Sequence, residues 1–414
     1  MNFTGDYRML IGGQLEPGSR SYEVRNPANE QVIANAPAAT PEDLNRAVAA
    51  ARAAFPSWAA TPIAERKAAL IAMGQAILAK VEELKRLLTA EQGKPYVEAE
   101  TEVMGAGYWL MGAASLDLPL TINEDSAERY SETRRVPLGV VGAIAPWNFP
   151  LVLAMFKVGP ALLAGNTLVL KPSPFTPLAT LKFGELVKDI LPPGVLNVVS
   201  GDNALGPLMT GHTGFDKISF TGSTATGKLV MESAASTLKR VTLELGGNDA
   251  AIVMPDVDVE AVAEQLFWAA FRNNGQICVA TKRMYVHNDI YEPLRDALVA
   301  YAKGVVVGDG SEQGTQIGPI NNGPQYHRVL ELIQDAKDKG YTFLLGGEKT
   351  ETPGYFVPVT IIDNPPEDSR IVQEEQFGPV LPLIRFNNFD EVIALAKEVE
   401  KAGATIINSG IGWH

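Results

Sequence analysis

Four short apolar runs, which alternate with helical segments, restrict the fold of this chain more than any other feature. The runs cover Val140–Ala145, Thr167–Leu170, Val195–Val199 and Lys217–Phe220. Apolar strands that alternate with helices at this spacing are typical of βαβ units, whose parallel strands are buried on both faces. The sequence therefore predicts an α/β fold, and ligands of such sheets bind beyond the carboxyl ends of the strands.

A similar pattern begins again after Gly247 and predicts a second α/β domain. Its predicted strands are Ala251–Met254, Lys282–Val286 and residues 341–345, and its predicted helices are residues 256–272, 290–303 and 325–339. Residues 128–138 differ because charged side chains alternate with others there. That alternation favours an exposed ribbon at an edge or an interface.

The N-terminal part predicts three helices. The first begins after Thr40, whose side chain is expected to cap it, and the second spans residues 62–91. The third spans residues 95–116, and we interpret its Tyr108 and Trp109 as core residues. The second helix has an apolar stripe at helical spacing, formed by Leu70, Met73, Ile77, Leu84 and Leu88.

Composition excludes several classes of function. A net charge of −13 argues against nucleic acid or an anionic membrane surface as a partner, because polyanions attract basic proteins. The single cysteine excludes an intrachain disulfide and a multi-thiolate zinc site, and four scattered histidines argue against a catalytic metal. Neither a signal peptide nor an apolar run of membrane-spanning length is evident, so a cytoplasmic location is expected.

The segment Gly222–Lys228 follows the fourth apolar run and has the glycine and lysine spacing of a phosphate-binding P-loop. Leu229 stands where a P-loop carries the hydroxyl that holds magnesium, which argues against an NTPase. We interpret the segment as a turn whose helix N-terminus receives a dinucleotide pyrophosphate. Because the G-x-G-x-x-G pattern is missing, a plain strand-to-helix turn is the alternative.

Two residues are candidates for acid–base and nucleophilic chemistry. Glu244 lies in an apolar run, and a buried carboxylate tends to have a raised pKa, which suits a general base. Cys278 follows Gly275 and Gln276 in a polar run that interrupts an apolar segment, a reasonable place for a nucleophile. A structural carboxylate and a thiol that serves as a small apolar residue are the respective alternatives.

Six motifs in this order resemble those of the NAD(P)-dependent aldehyde dehydrogenase superfamily, within residues 8 to 396. They are Pro146–Pro150, Lys171–Ser173, Phe220–Ser223, Leu243–Asn248, Phe271–Cys278 and Glu374–Pro379. The resemblance implies a Rossmann-like dinucleotide-binding domain, a second α/β catalytic domain and a small β oligomerisation ribbon. It also implies a small-molecule aldehyde as substrate and a homodimer or homotetramer.

The domain ranges that follow from this resemblance divide the chain into four parts. The NAD(P)-binding domain is expected at residues 1–124 and 140–247, the oligomerisation ribbon at 125–139, the catalytic domain at 248–408 and a tail at 409–414. The catalytic domain is expected to be shorter than is usual, because the chain passes quickly from the helix near residue 396 to Lys401–Asn408. An opened pocket and an unpaired ribbon edge are the expected consequences.

The resemblance implies oxidation of an aldehyde to its acid by a covalent route. Cys278 attacks the aldehyde as a thiolate, and the Asn148 side chain and the Cys278 N–H hold the oxyanion. Hydride loss then gives a thioester, for which Glu244 activates water. Lys157 matches a lysine that is linked to proton relay. Phe156, Trp109 and Ile277 are the candidate substrate-pocket residues.

The implied cofactor is NAD, with NADP as a possibility. Lys171 is expected to bond the adenosine ribose, Gly222 and Ser223 the pyrophosphate, and Glu375 the nicotinamide ribose. The full set of candidate cofactor residues is Ile144, Pro146, Trp147, Lys171, Ser173, Gly222, Ser223, Gly246, Glu375 and Phe377. Pro174 departs from many NAD-preferring members, which carry a glutamate there, so no carboxylate repels the extra phosphate of NADP.

Two other functions stay open at this point. A truncated, weakly active or inactive relative would bind the dinucleotide without turnover. A CoA-acylating relative would release a CoA thioester instead of the acid.

Overall fold

The computed structural model describes residues 5–398, without the side chains of residues 397 and 398. These residues form two compact units, one of residues 5–24, 32–91 and 99–244 and one of residues 25–31, 92–98 and 245–398. Segments 25–31 and 92–98, which fall within the range predicted for the NAD(P)-binding domain, group with the second unit. The predicted strand within Lys401–Asn408 and the tail at 409–414 lie outside the described residues.

The strands are numbered in chain order. They are β1 (Met9–Ile11), β2 (Gln14–Glu16), β3 (Ser21–Arg25), β4 (Val32–Pro37), β5 (Thr121–Asp125), β6 (Tyr130–Thr133), β7 (Val140–Ile144), β8 (Thr167–Lys171), β9 (Leu196–Val198), β10 (Lys217–Thr221), β11 (Arg240–Glu244), β12 (Asp249–Val253), β13 (Thr281–His287), β14 (Thr342–Leu345), β15 (Thr360–Asp363) and β16 (Val380–Phe386).

The α-helices are numbered in the same way. They are α1 (Pro41–Ala60), α2 (Ile63–Leu78), α3 (Val81–Gln92), α4 (Tyr96–Ala113), α5 (Pro150–Leu163), α6 (Leu178–Val187), α7 (Leu205–Gly211), α8 (Thr224–Ala235), α9 (Val259–Phe271), α10 (Tyr291–Lys303), α11 (Gly323–Asp338), α12 (Arg370–Gln373) and α13 (Phe389–Glu398). Within residues 5–398, no helix has the length and apolar character needed to cross a membrane.

A seven-stranded sheet in the order β11-β10-β7-β8-β9-β1-β2 forms the centre of the first unit. Strands β7 to β11 run parallel, whereas β1 and β2 join one edge in antiparallel pairing. Every residue of β7 and β8 is buried, because helices cover both faces of such a sheet. The four apolar runs form β7, β8, β9 and β10, so the predicted parallel sheet is confirmed.

The predicted start of the first helix is confirmed. Thr40 and Asp43 form a capping box at α1, in which the Asp43 N–H donates to Thr40 Oγ1 at 3.2 Å. The Thr40 N–H donates in return to Asp43 Oδ2 at 2.9 Å.

The prediction of one helix over residues 62–91 was wrong, because α2 and α3 are separated at Ala79 and Lys80. Neither a glycine nor a proline marks the break. The apolar stripe stays buried on both sides of it, with Ile77 and Leu84 at 0% and 1% exposure. Since their spacing of two helical turns continues across the break, the hydrophobic pattern could not reveal it.

Residues 121–133 form a small separate antiparallel sheet, in which β5 pairs with β6. Most of its residues are exposed. The sheet therefore begins at Thr121 rather than at residue 125, where the predicted ribbon begins, and its second strand ends at Thr133. The role of this sheet in oligomerisation stays a prediction.

The second unit has a five-stranded sheet in the order β12-β13-β16-β15-β14. The first four strands in this order are parallel, and β14 is antiparallel to β15. Neighbouring residues of β13 face opposite cores: Met284 packs in a cluster with α9 and α10, and Tyr285 packs in a cluster with α11. The predicted second α/β domain is confirmed, although β15 and β16 were not predicted.

A buried carboxylate of α3 holds the start of α6. Glu91 is 0% exposed and accepts hydrogen bonds from the N–H groups of Leu178 at 2.7 Å and Ala179 at 2.9 Å. The N-cap residue of α6, Pro177, supplies no side-chain hydrogen bond. A distant carboxylate thus satisfies helix N–H groups that no local residue satisfies.

We expect Glu91→Ala to lower the free energy of unfolding by about 2–3 kcal/mol, because it leaves two buried N–H groups without an acceptor. Glu91→Gln is the matched control, since it keeps one acceptor oxygen at almost the same volume and should lose less. Denaturant unfolding followed by circular dichroism measures both. Equal stability of the alanine variant and the parent protein would contradict the capping role.

Candidate active site

The predicted cofactor residues of the first unit and Glu244 lie at the carboxyl ends of four parallel strands. Ile144 at the end of β7 pairs with Lys171 of β8 on one side and with Phe220 of β10 on the other. Thr221 of β10 pairs with Glu244, the last residue of β11. The parallel pairing therefore places the Lys171, Gly222 and Glu244 motifs along one edge of the sheet.

The segment after β7 leads into α5. Asn148 is buried at 4% exposure, and Pro146 and Trp147 are half-buried. Glu102 of α4 fixes the start of the helix, because its Oε1 accepts a hydrogen bond from the Leu151 N–H at 2.9 Å.

Lys157 of α5 reaches the end of β10. Its Nζ donates to Thr221 Oγ1 at 2.7 Å and to Ser219 Oγ at 3.4 Å. Burial lowers the pKa of Lys157 to about 8, although the Glu244 carboxylate opposes that shift. The Lys157 ammonium therefore gives up its proton more readily than an exposed lysine does, which is compatible with proton relay.

Lys171 and Ser173 are buried at the end of β8, at 3% and 6% exposure. The Lys171 ammonium donates to the Pro172 carbonyl at 3.3 Å, its sole hydrogen bond in the described part of the chain. Burial lowers the pKa of Lys171 to about 8. An ammonium with three donors and one acceptor retains capacity for a ligand hydroxyl.

Gly222 and Ser223 connect β10 to α8. The Gly222 N–H donates to the Glu244 carbonyl at 3.0 Å, and Ser223 caps the helix by accepting from the Thr226 N–H at 3.2 Å. A Cβ on Gly222 would approach the Phe220 ring to 2.5 Å, so any other residue here would displace that ring. The N-terminus of α8 carries no acidic residue in its first turn, as an anion site requires.

The prediction that Glu244 is buried was wrong, because its side chain is exposed. The reason is its strand: β11 is the edge of the seven-stranded sheet and pairs with β10 alone. The burial on which the general-base prediction rested is therefore absent, and the support for that role is the resemblance of its motif.

The interpretation of Tyr108 and Trp109 as core residues was also wrong, since they are 54% and 41% exposed. Trp109 stacks on Phe156 of α5 with ring centroids 3.8 Å apart. Phe156 is itself 41% exposed. Two predicted pocket residues thus form an exposed aromatic pair, which helical periodicity did not indicate.

In the second unit, the only cysteine ends the segment Arg272–Cys278, named here the cysteine turn. Asn273, Asn274 and Gly275 are all left-handed, with φ of 50°, 59° and 70°. Asparagine tolerates this conformation and glycine adopts it readily. A Cβ on Gly275 would also collide with the Gly378 carbonyl oxygen, so glycine is required there.

Gln276 anchors the cysteine turn from within. It is 1% exposed, its Nε2 donates to the Asn273 carbonyl at 2.9 Å, and its Oε1 accepts from the Asn321 N–H at 2.9 Å. The polar run before the cysteine is therefore a buried hydrogen-bonded turn, and Ile277 and Cys278 follow it as half-buried residues.

Charged groups of the second unit act on the Cys278 thiol. Burial raises its pKa, the Glu375 carboxylate raises it further, and the Lys282 ammonium opposes the shift. Lys282 was not among the predicted site residues, because it was interpreted only as the first residue of a predicted strand, next to Arg283. Its burial, at 1% exposure, is evident only in the fold.

Glu375 lies against the two glycines that follow Glu244 in the sequence. Its Oε1 accepts a hydrogen bond from the Gly247 N–H at 3.2 Å, and a Cβ on Gly246 would collide with its carboxylate. Burial raises the pKa of Glu375 to about 7. Phe377 follows in a left-handed conformation with φ of 49°. Among the described residues, no group of three or more His, Cys, Asp or Glu side chains could hold a metal.

The sequence profile of the aldehyde dehydrogenase family matches residues 15–410. The chain belongs to the aldehyde dehydrogenase family. This aldehyde dehydrogenase is 46% identical over 387 residues to the "Probable aldehyde dehydrogenase" of a Pseudomonas species, covering 94% of this chain and 79% of that protein.

Solved structures agree with the family assignment and confirm the predicted mixed α/β fold. The NAD+ complex of an aldehyde dehydrogenase from Bacillus cereus matches with a TM-score of 0.92 at 38% identity, over 95% of this chain and 82% of that one. An NADP-dependent enzyme of E. coli matches with a TM-score of 0.92 at 35% identity, over 96% of this chain and 84% of that one.

We expect Gly275→Ala to destabilise this aldehyde dehydrogenase far more than Gly314→Ala. Both glycines have positive φ, but a Cβ on Gly314 meets nothing within 4 Å. Gly314→Ala should therefore cost about 1–2 kcal/mol for the left-handed backbone alone. Gly275→Ala should cost at least about 2 kcal/mol more, because its Cβ displaces the Gly378 backbone. Denaturant unfolding of the two variants checks this, and similar losses would contradict it.

Proposed function

We propose that this aldehyde dehydrogenase oxidises an aldehyde to its carboxylic acid with NAD+ or NADP+ through a covalent Cys278 adduct. The observation that carries the proposal is the cysteine turn. Its three successive left-handed residues and its buried Gln276 anchor hold the sole thiol of the chain in a fixed, half-buried position. A thiol that is held in place by this many backbone and side-chain constraints is better suited to act as a nucleophile than to fill space in the core.

The residues at the edge of the first sheet suit a dinucleotide. The Lys171 ammonium has donors to spare for a ribose hydroxyl, and the N-terminus of α8 presents Gly222 and Ser223 to a pyrophosphate. Four further candidate cofactor residues lie at or just beyond the ends of β7 and β8. They are Ile144, Pro146, Trp147 and Ser173. In the second unit, Gly246, Glu375 and Phe377 would hold the nicotinamide riboside. When bound, NAD+ or NADP+ supplies the acceptor for the hydride.

Cys278 performs the first step in this proposal. Its thiolate adds to the aldehyde carbon, which forms a C–S bond and moves an electron pair onto the carbonyl oxygen. The Asn148 amide and the Cys278 N–H hold that oxyanion as donors. Collapse of the oxyanion expels a hydride from the same carbon and leaves a thioester.

Glu244 performs the second step by taking a proton from water, which then attacks the thioester carbon. The C–S bond breaks, the acid leaves, and Cys278 returns as a thiolate. Lys157, hydrogen-bonded to Thr221, is the candidate that carries protons away. The sum converts aldehyde, water and oxidised cofactor to acid, reduced cofactor and a proton.

The aromatic pair of Trp109 and Phe156, together with Ile277, forms the proposed lining for the aldehyde. Pro174, half-buried beyond Lys171, brings no carboxylate against the extra phosphate of NADP. We therefore propose that this chain can use either cofactor.

We further infer a homo-oligomer and a reducing, cytoplasmic environment. Apolar side chains of the β5–β6 sheet and its flanks are exposed, among them Ile122 at 55% and Val136 at 73%. A surface of this kind suits contact with a second copy. A catalytic thiol stays reactive only where it is kept reduced.

We expect Cys278→Ala to abolish aldehyde-dependent cofactor reduction and to leave NAD+ binding intact, because it removes only the nucleophile. Absorbance at the reduced cofactor, measured over a panel of aldehydes, reports turnover, and calorimetry reports binding. Residual turnover in the alanine variant would refute the covalent route. A parent protein that binds NAD+ but oxidises no aldehyde would favour the inactive-relative alternative, and a CoA-dependent thioester product would favour the acylating one.

We expect Glu244→Gln to slow thioester hydrolysis more than the first hydride transfer, because the amide cannot take a proton from water. In rapid mixing, the variant should give a burst of reduced cofactor close to one per site, followed by a steady rate about 10²–10⁴ lower than the parent. Acid-quenched protein should carry the acyl group on Cys278. A defect confined to cofactor affinity would contradict the general-base role.

A further inference from the structure

Lys282 is a buried cation that the proposed mechanism does not use. It is the second residue of β13 and is 1% exposed. Its Nζ donates a short hydrogen bond to the Gly275 carbonyl and lies 5.2 Å from the centroid of the Phe377 ring. Burial lowers the pKa of Lys282 to about 8, so the side chain is charged at neutral pH. Burying a charge is costly, and the surroundings must offset that cost.

Those surroundings are two loops that both carry proposed site residues. Gly275 is part of the cysteine turn, and Phe377 follows Glu375, the proposed ribose ligand. Gln376, which lies between Glu375 and Phe377 in the sequence, is 0% exposed, and its Nε2 donates to the Lys282 carbonyl at 3.4 Å. One lysine thus contacts the loop of the nucleophile and the loop of the cofactor residues.

Without Lys282, the side-chain charges that act on the Cys278 thiol would all be negative. The ionisable groups that act on both Lys282 and the thiol are Glu375 and Asp249. Asp249 is 8% exposed, and its Oδ2 has no hydrogen-bond partner in the described part of the chain. Arg283, the next residue, also acts on the Asp249 carboxylate, although its hydrogen bonds go to the Asn248 carbonyl and the Tyr285 hydroxyl, both at 3.0 Å. Of these two cations, Lys282 is the one that acts on both carboxylates and on the Cys278 thiol.

We propose that Lys282 is a positioning residue, which holds the cysteine turn against Phe377 and serves as the buried counter-ion of the Cys278 thiolate. The proposal rests on the proposed nucleophilic role of Cys278. A neutral side chain at this position leaves Glu375 and Asp249 to oppose ionisation of the thiol. A purely structural lysine would affect stability without affecting that ionisation.

The test is the rate of Cys278 alkylation by iodoacetamide as a function of pH, without aldehyde or cofactor. Cys278 is the only thiol of the chain, so the label reports one site. Lys282→Met should raise the apparent pKa of the thiol by about one unit and slow alkylation at pH 7 about tenfold. Lys282→Gln should shift the pKa in the same direction while it can still donate to the Gly275 carbonyl.

Two further variants separate charge from packing. Lys94→Met removes another buried lysine of the second unit, 2% exposed, and should leave the alkylation profile unchanged. Asp249→Asn removes a negative charge that acts on the thiol, so it should lower the pKa of Cys278. Circular dichroism and thermal melting establish that each variant is folded.

Folded Lys282 variants with the parent alkylation profile would overturn the proposal, as would an upward shift in Asp249→Asn. If neither Lys282 variant folds, the parent protein decides the matter. Its thiol should titrate over a wider pH range than one isolated proton, because Lys282 loses its charge as Cys278 ionises. A simple one-proton curve would overturn the counter-ion role. Because no aldehyde is present, these results do not depend on whether the protein turns over, which Cys278→Ala tests separately.

Discussion

Parallel pairing of β7, β8, β10 and β11 is the constraint on which the proposed cofactor site depends. Because parallel strands end at the same edge, motifs more than 20 residues apart in sequence become neighbours there. Burial of β7 and β8 on both faces fixes their registers, since a slip by one residue would exchange the two faces. The positions of Lys171 and Gly222 are therefore consequences of core packing.

Both units contain buried lysines, but the surroundings of these lysines differ between the units. In the first unit, Lys157 and Lys171 are desolvated side chains with few acceptors, and burial lowers the pKa of each to about 8. In the second unit, two carboxylates and the Cys278 thiol act on the Lys282 ammonium. Desolvation makes such groups sensitive to any charge brought near them, which suits binding of a charged cofactor and formation of a thiolate.

The four strands β7 to β10 and their order along the chain could be predicted because continuous apolar runs record burial directly, whereas β15 and β16 were not predicted. Other features could not. The break at Ala79 has no sequence signal, and the exposure of Glu244 depends on β11 being an edge strand, which is decided by topology. The burial of Gln276 follows from a left-handed turn, whose asparagines and glycine are compatible with many loops. The motifs identified the candidate residues, but their surroundings required the fold. The division into functional domains and the role of each site residue stay predictions.

The two carboxylates that hold helix starts affect how this unit can assemble. Glu102 holds the start of α5 and Glu91 the start of α6, across 49 and 87 residues of sequence. The helices that follow β7 and β8 thus acquire these acceptors only after α3 and α4 have docked. A fragment beginning at β7 would contain every strand of the cofactor edge and still have both helix starts exposed. The N-terminal helices contribute no proposed cofactor ligand. They nevertheless supply the acceptors that complete the helix starts in the half of the unit that carries those ligands.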